Sequence, residues 1–293
     1  MVPDATFTSY YGLPILKAPT WKAPEIAGYF FLGGLAGASS VLAAAARGAG
    51  HPTLAARAEI TATVAVAAGG ALLVKDLGRP ERFANMLRTF KPTSPMSVGA
   101  WLLAGYAPAG AVASLAAMSG RAPRTGRIAG RGAAMLGPLV ATYTAALIAD
   151  TAVPAWHAGR LELPVVFAGS SAMAAGGVAL VLTPSIDAAP ARRFALVGAA
   201  LETSATALLE RQHGVVAEPY RTGRARQWSR AARLLVPVGL ATVFGGRGRR
   251  VTNAVGGAML AAASLCTRVA VFDAGVASAA DPRYVVAPQR EGR

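Results

Sequence analysis

Eight apolar segments dominate the chain, at approximately 25–46, 54–74, 98–118, 132–149, 163–182, 193–209, 231–245 and 251–272. Each is close to the ~20 residues that a helix needs to cross ~30 Å of hydrocarbon. Backbone polar groups in lipid must pair within the protein, and long continuous apolar runs, unlike short alternating stretches, satisfy that rule as helices and not as a barrel. The composition agrees: 54% of residues are hydrophobic and 15% charged, against about a quarter charged in soluble domains. The expected fold is therefore an all-α integral membrane protein. It is a single polytopic domain over 1–293 with eight transmembrane helices in two four-helix bundles, about 24–150 and 162–272, and a C-terminal tail at 273–293. The seventh segment is short and holds Pro237.

The net charge is +15, with 29 Lys and Arg against 14 acids. In a soluble protein that balance points to nucleic acid. Here the basic residues lie between apolar runs, where positively charged loops accompany membrane spans. The bilayer is therefore the expected partner, and nucleic acid is not. An even number of spans puts both ends on one face, called here the terminal side. A bare count of Lys and Arg would place that side in the cytoplasm. The loops of the other face, however, are short and Arg-rich, with Asp187 as their only acid. We therefore expect a multi-pass protein of the cell's inner (cytoplasmic) membrane with its terminal side outside the cytoplasm. A secretory signal peptide is not expected, because the first 20 residues have no apolar core. One cysteine, Cys266, cannot hold an iron–sulfur cluster or a disulfide. His51, His157 and His213 lie in or beside loops with no pair at helical spacing, so neither haem nor another metal is expected in this chain.

The densest polar stretch, 75–97, mixes charge with Phe83, Met86, Leu87 and Phe90. That pattern predicts a helix lying in the interface, and Arg79, Arg82, Phe83 and Arg88 form the expected docking face for a partner. Two acids fall within spans, Glu59 in the second and Glu202 near the middle of the sixth, followed by Thr203, Ser204 and Thr206. Intramembrane acids are costly and are functional candidates by default. Both are expected as proton-relay groups, with a hydrogen-bonded structural acid as the other reading. Tyr143 sits in the fourth span between Thr142 and Thr144, and a buried tyrosine hydroxyl needs a partner. Glu25 opens the first span, Lys75 and Asp76 end the second, and Asp150, Trp156 and His157 follow the fourth. All belong to the terminal side and surround one cleft mouth, although helix-end charges and Trp also serve as interfacial anchors.

The run Asp76-Leu77-Gly78-Arg79-Pro80-Glu81-Arg82-Phe83, with Asn85-Met86-Leu87-Arg88 and Ser94-Pro95-Met96-Ser97-Val98-Gly99-Ala100-Trp101, resembles the signature of the NrfD/polysulfide-reductase membrane-subunit family. Tyr10-Tyr11-Gly12-Leu13-Pro14, Lys17-Ala18-Pro19, Trp21, Tyr29-Phe30-Phe31-Leu32-Gly33-Gly34 and Asp281-Pro282-Arg283-Tyr284 are similar to other family segments. The resemblance covers nearly the whole chain. It implies a membrane anchor that binds menaquinone or ubiquinone. Such an anchor pairs with a four-cluster, ferredoxin-like iron–sulfur subunit and through it with a catalytic subunit, often a molybdopterin enzyme of the formate dehydrogenase or polysulfide reductase type. The chain would then carry the quinone redox site of an oxidoreductase rather than its catalytic domain. Tyr143 matches the position of a helix-4 tyrosine that contacts the quinone. Tyr143 and Asp76 are the expected catalytic pair, with Lys75, Glu25, Trp156 and His157 around the ring. The family's histidine ahead of Phe-Leu-Gly-Gly is absent, and Tyr29 and Phe30 stand in that stretch. Two other readings compete. A secondary transporter would call for matched helix interruptions and midplane charges, of which Glu202 is the only strong acid. A purely structural anchor would be indifferent to substitution of Tyr143.

Overall fold

The computed structural model describes residues 15–17, 19, 21–77 and 85–291. Eight long helices lie at the predicted segments: α1 (Ala23–Gly48), α2 (Pro52–Leu77), α3 (Pro95–Ser119), α4 (Pro123–Ala149), α5 (Glu162–Leu182), α6 (Ala189–Gln212), α7 (Gly223–Gly245) and α8 (Arg250–Ala280). Among the described residues there is no strand. Six of the helices, α1 to α5 and α8, are long and apolar enough to cross a membrane. The chain is thus an all-helical, multi-pass membrane protein. α6 and α7 have the length but carry more charge: Arg192, Arg193 and Glu202 in α6, and Arg224, Arg226, Arg230 and Arg233 in the first half of α7.

Helix starts follow local chemistry. Proline opens α1, α3, α4 and α6, where its missing N–H has no intrahelical partner to lose. Ser94 caps α3 by accepting the backbone N–H of Ser97. The ends reach further than the apolar runs. α4 begins at Pro123 rather than 132, α7 at Gly223 rather than 231, and α8 continues to Ala280 rather than stopping at 272. The expected tail is shortened accordingly, and a short helix, Arg283–Glu291, follows. Apolarity ends at the first charged residue, whereas helical hydrogen bonding continues past it: in α4 and α7 through arginines whose stems lie on the helix and whose heads reach water, and in α8 past Asp273.

α1 to α4 pack in a ring, each against the next, with α4 closing on α1. α5 packs on α6 and α8, and α8 on α7, while α6 and α7 barely meet. α1 joins the two groups by also packing on α5 and α8. Its approach to α4 is backbone to backbone: a β-carbon at Gly37 or Gly137 would collide with the other glycine's carbonyl oxygen. Small residues permit such contact between helices in lipid. On one side of the molecule, the rings and loops are tied by His51 to Asp187 (3.2 Å) and by Arg250 donating to the Leu180 carbonyl (2.8 Å). On the other, the Trp156 indole donates to the Val271 carbonyl (2.7 Å) and the Tyr220 hydroxyl to that of Ala155 (3.1 Å). Lys22 and Arg283 both fall on this second side, since they bond to Asp76 and Glu218 there.

Candidate functional site at the terminal end of α1 to α4

Tyr143 of α4, Asp76 of α2, Tyr29 and Phe30 of α1, Gly99 of α3 and Trp21 ahead of α1 line one cavity of about 80 Å³, with Met86 and Met96 completing its wall. Gly99 makes the slot for Tyr143, because a β-carbon there would lie 2.5 Å from Cε2 of the ring. Tyr29 meets Tyr143 edge-on, with ring centroids 6.3 Å apart and planes at 68°, a favoured aromatic geometry. The Tyr29 hydroxyl is buried with no hydrogen-bond partner. An orphaned buried hydroxyl is costly, which marks the cavity as a place where a polar atom of a ligand or water belongs. Asp76 accepts the backbone N–H of Lys22 at 3.3 Å. Trp21 is shared with a neighbouring cavity of about 380 Å³, lined also by Lys17, Thr151, Val153 and Trp156. It stacks on Trp156 at 5.9 Å and so forms the partition between the two spaces.

The other predicted residues fall around this centre or away from it. Glu25 and Lys75 pair with each other at 3.0 Å beside the mouth and do not line the cavity. Trp156 is fully buried and reaches the first cavity only through Trp21. His157 does not face the cavity: its Nδ1 meets the Ala149 carbonyl at the end of α4, 3.1 Å away. Arg88 is exposed, while Arg79, Arg82 and Phe83 lie outside the described residues. Glu59 is buried on the opposite side, paired with Arg47 of α1 at 2.5 Å. Glu202 is buried in α6 and accepts from Thr267 of α8. These two acids sit in different helix groups, and no described hydrogen bond links them.

Two buried polar side chains stand out that the sequence reading passed over. Tyr106 of α3 is fully buried and donates to the Ala36 carbonyl at 2.6 Å, with Ser40 at 2.7 Å. Arg268 of α8 is fully buried and donates to the Phe167 carbonyl and to Ser171. The cost of an intramembrane charge applies to arginine as much as to acids, so the signal for Arg268 was an Arg inside the last apolar run.

The family model described as polysulphide reductase, NrfD, matches residues 18–192. The chain belongs to the NrfD family. The match spans α1 to the first residues of α6, so Trp21, Tyr29, Asp76 and Tyr143 all fall within it, and Glu202 and Arg268 do not. No curated protein matches the chain. As an NrfD protein it is a membrane subunit of a redox complex, such as polysulfide reductase.

Proposed function

We propose that the chain is the quinone-binding membrane anchor of a multi-subunit oxidoreductase. In this reading it exchanges electrons between a four-cluster iron–sulfur subunit and the menaquinone or ubiquinone pool, with a molybdopterin enzyme as the catalytic subunit. The observation that carries the reading is convergence: Tyr143, Tyr29 with its orphaned hydroxyl, and Asp76 line one aromatic-walled cavity inside the family-matched segment.

The residues fit such a group chemically. Two phenols are donors for a ring carbonyl, Trp21 and Phe30 offer flat apolar faces, and Asp76 stands at the mouth to exchange protons with terminal-side water. A lobe of about 80 Å³ admits only the edge of a substituted ring. Room comes from the movable walls: Met86 and Met96 are unbranched and adaptable, and a swing of Trp21 would open the 380 Å³ neighbour. A bound quinone supplies two-electron, two-proton chemistry. The chain's part is to hold the carbonyl, exclude water and carry protons past Asp76.

The same reading has all eight helices crossing the bilayer. α6 and α7 connect the same two faces as their neighbours, because Tyr220 between them bonds to Ala155 on the terminal side, while Arg250 after α7 reaches Leu180 and Val181 on the other. The terminal face is assigned to the outside of the cytoplasm and to the iron–sulfur subunit, since the opposite loops are the short, nearly acid-free ones. In the purified complex, a photoreactive quinone should label peptides of α1 to α4 around Tyr143 and Asp76. Label confined to α5 to α8, in a complex that still turns over, would overturn the placement. Gly99→Ala is expected to raise the quinone KM by pushing the Tyr143 ring from its slot, since the added β-carbon would lie 2.5 Å from Cε2. Steady-state kinetics with normal subunit recovery check this.

A further inference from the structure

The largest cavity described, about 510 Å³, is not the one above. It lies between α6 and α7, where those helices barely meet, and is backed by α5 and α8. Its deep end is polar. Glu202 is 4% exposed, with one carboxylate oxygen accepting from Thr267 and the other without a partner. Thr206, also on the wall, has a buried hydroxyl without a partner. The shallow end carries Arg221 and Arg233, both paired to Glu210, with Arg211 beside them. From Glu202 to the terminal-side end of α6 is ten residues, a rise of about 15 Å. Toward the opposite side the back wall of the cavity is closed. There α5 and α8 touch backbone to backbone at Gly177 and Gly257, where a β-carbon on either would strike the other's carbonyl oxygen. Met173, Leu180 and Leu260 fill the space around them, all fully buried.

We propose that this cavity is an aqueous inlet from the terminal side to Glu202, and that Glu202 exchanges its proton with that side alone. A carboxylate oxygen and a hydroxyl buried without partners are costly unless water meets them. The space is large enough for water to reach both groups. An acyl chain in the same space would leave both groups orphaned in hydrocarbon, whereas the arginines at the mouth keep it hydrated. The step is a simple exchange. The Glu202 carboxyl releases H⁺ to cavity water, Thr267 continues to donate to the remaining carboxylate, and no electron moves. The titratable groups around Glu202 are Arg268 and Cys266 on α8, Arg233 on α7, Tyr220 and Arg221 in the connection, and Glu210 and Arg211 on α6 itself. α5 adds only Leu163 and Val166 to the wall. The inference stands apart from the quinone reading, since it uses neither Tyr143 nor the α1 to α4 cavity.

The test uses the full chain in liposomes of known orientation, in a Cys266→Ser background that removes the one native thiol. Thr206→Cys, or Ala207→Cys on the same wall, should react with a charged, membrane-impermeant thiol reagent added on the terminal side. Ser264→Cys, beyond Thr267, should react from neither side. In the unsubstituted chain, the infrared carbonyl band of Glu202, identified by its loss in Glu202→Gln, should follow the pH of the terminal-side solution. Labelling of both wall cysteines only by a lipid-soluble reagent would overturn the inlet. A band that follows the opposite-side pH or neither side, or labelling of Ser264→Cys from the opposite side, would overturn one-sided access.

Discussion

Arg268→Leu is expected to lower the melting midpoint of the detergent-solubilised chain by about 6 °C or more, the largest loss of stability from any single substitution proposed for this protein. The guanidinium is fully buried where α1, α5 and α8 meet. Its Nη2 donates to the Phe167 carbonyl (2.8 Å) and to Ser171 Oγ (2.7 Å), and its carbon lies 3.7 Å from the centre of the Phe167 ring. α1 yields the space through Gly34, where a β-carbon would come within 2.9 Å of that same nitrogen. Leucine fills some of the volume but removes the donors, the cation over the ring and the positive neighbour of Glu202. Each of the two hydrogen bonds lost from a charged donor is worth about 1.5–3 kcal/mol, and each kcal/mol moves a midpoint by about 2–4 °C in a chain of this size class. Arg268→Lys keeps the charge without the planar fork and should recover only part of the loss. Adding Glu202→Gln to Arg268→Leu should also recover part, because it removes a buried carboxylate left without its positive neighbour. An unchanged midpoint in Arg268→Leu would show that the buried guanidinium contributes nothing to stability.

Arg268 was legible as a charge within a span, but its contacts with Phe167 and Ser171 were not. The helices themselves were legible, since runs near the span length have one solution in lipid. Their ends were not, because Arg124, Arg127 and Arg131 in α4 and Arg224 to Arg233 in α7 are charged yet helical. The meeting of Tyr143 with Asp76 was legible from topology, as both lie toward the terminal side of the first four helices. The position of Tyr29 against Tyr143, and of Trp21 as a partition, was not, because it depends on how α1 is rotated about its axis. That rotation is set by the Gly37–Gly137 contact between helices distant in sequence. His157 had the right side and the right type, but the short helix Pro154–Ala158 carries its ring back to Ala149. The large cavity was invisible for a related reason: it is the gap left when α6 and α7, neighbours in the chain, pack on α5 and α8 instead of on each other. Glu202 alone was readable; the space beside it was not.

Tyr143→Phe is expected to reduce the quinone-dependent rate of the assembled complex about tenfold or more. The change keeps the ring, so the Gly99 slot and the edge contact with Tyr29 remain filled, and only the hydroxyl is lost. A hydrogen bond to a ligand in a dry site is worth about 1–3 kcal/mol, and 1.36 kcal/mol is a factor of ten in rate. Tyr29→Phe makes the sharper comparison. Its hydroxyl has no protein partner, so its removal should leave the melting midpoint unchanged or slightly raised while still lowering the rate. A structural hydroxyl would do the reverse. If both phenols serve one ring, the double variant should lose less than the product of the single losses, since the second deletion acts on a ligand already loosely held. A fall in kcat with KM little changed would place the lost interaction in the transition state rather than in binding. Full activity in a completely assembled Tyr143→Phe complex, with intact quinone dependence, would remove this hydroxyl from the site and leave Tyr29 as the only phenol assigned to the ring.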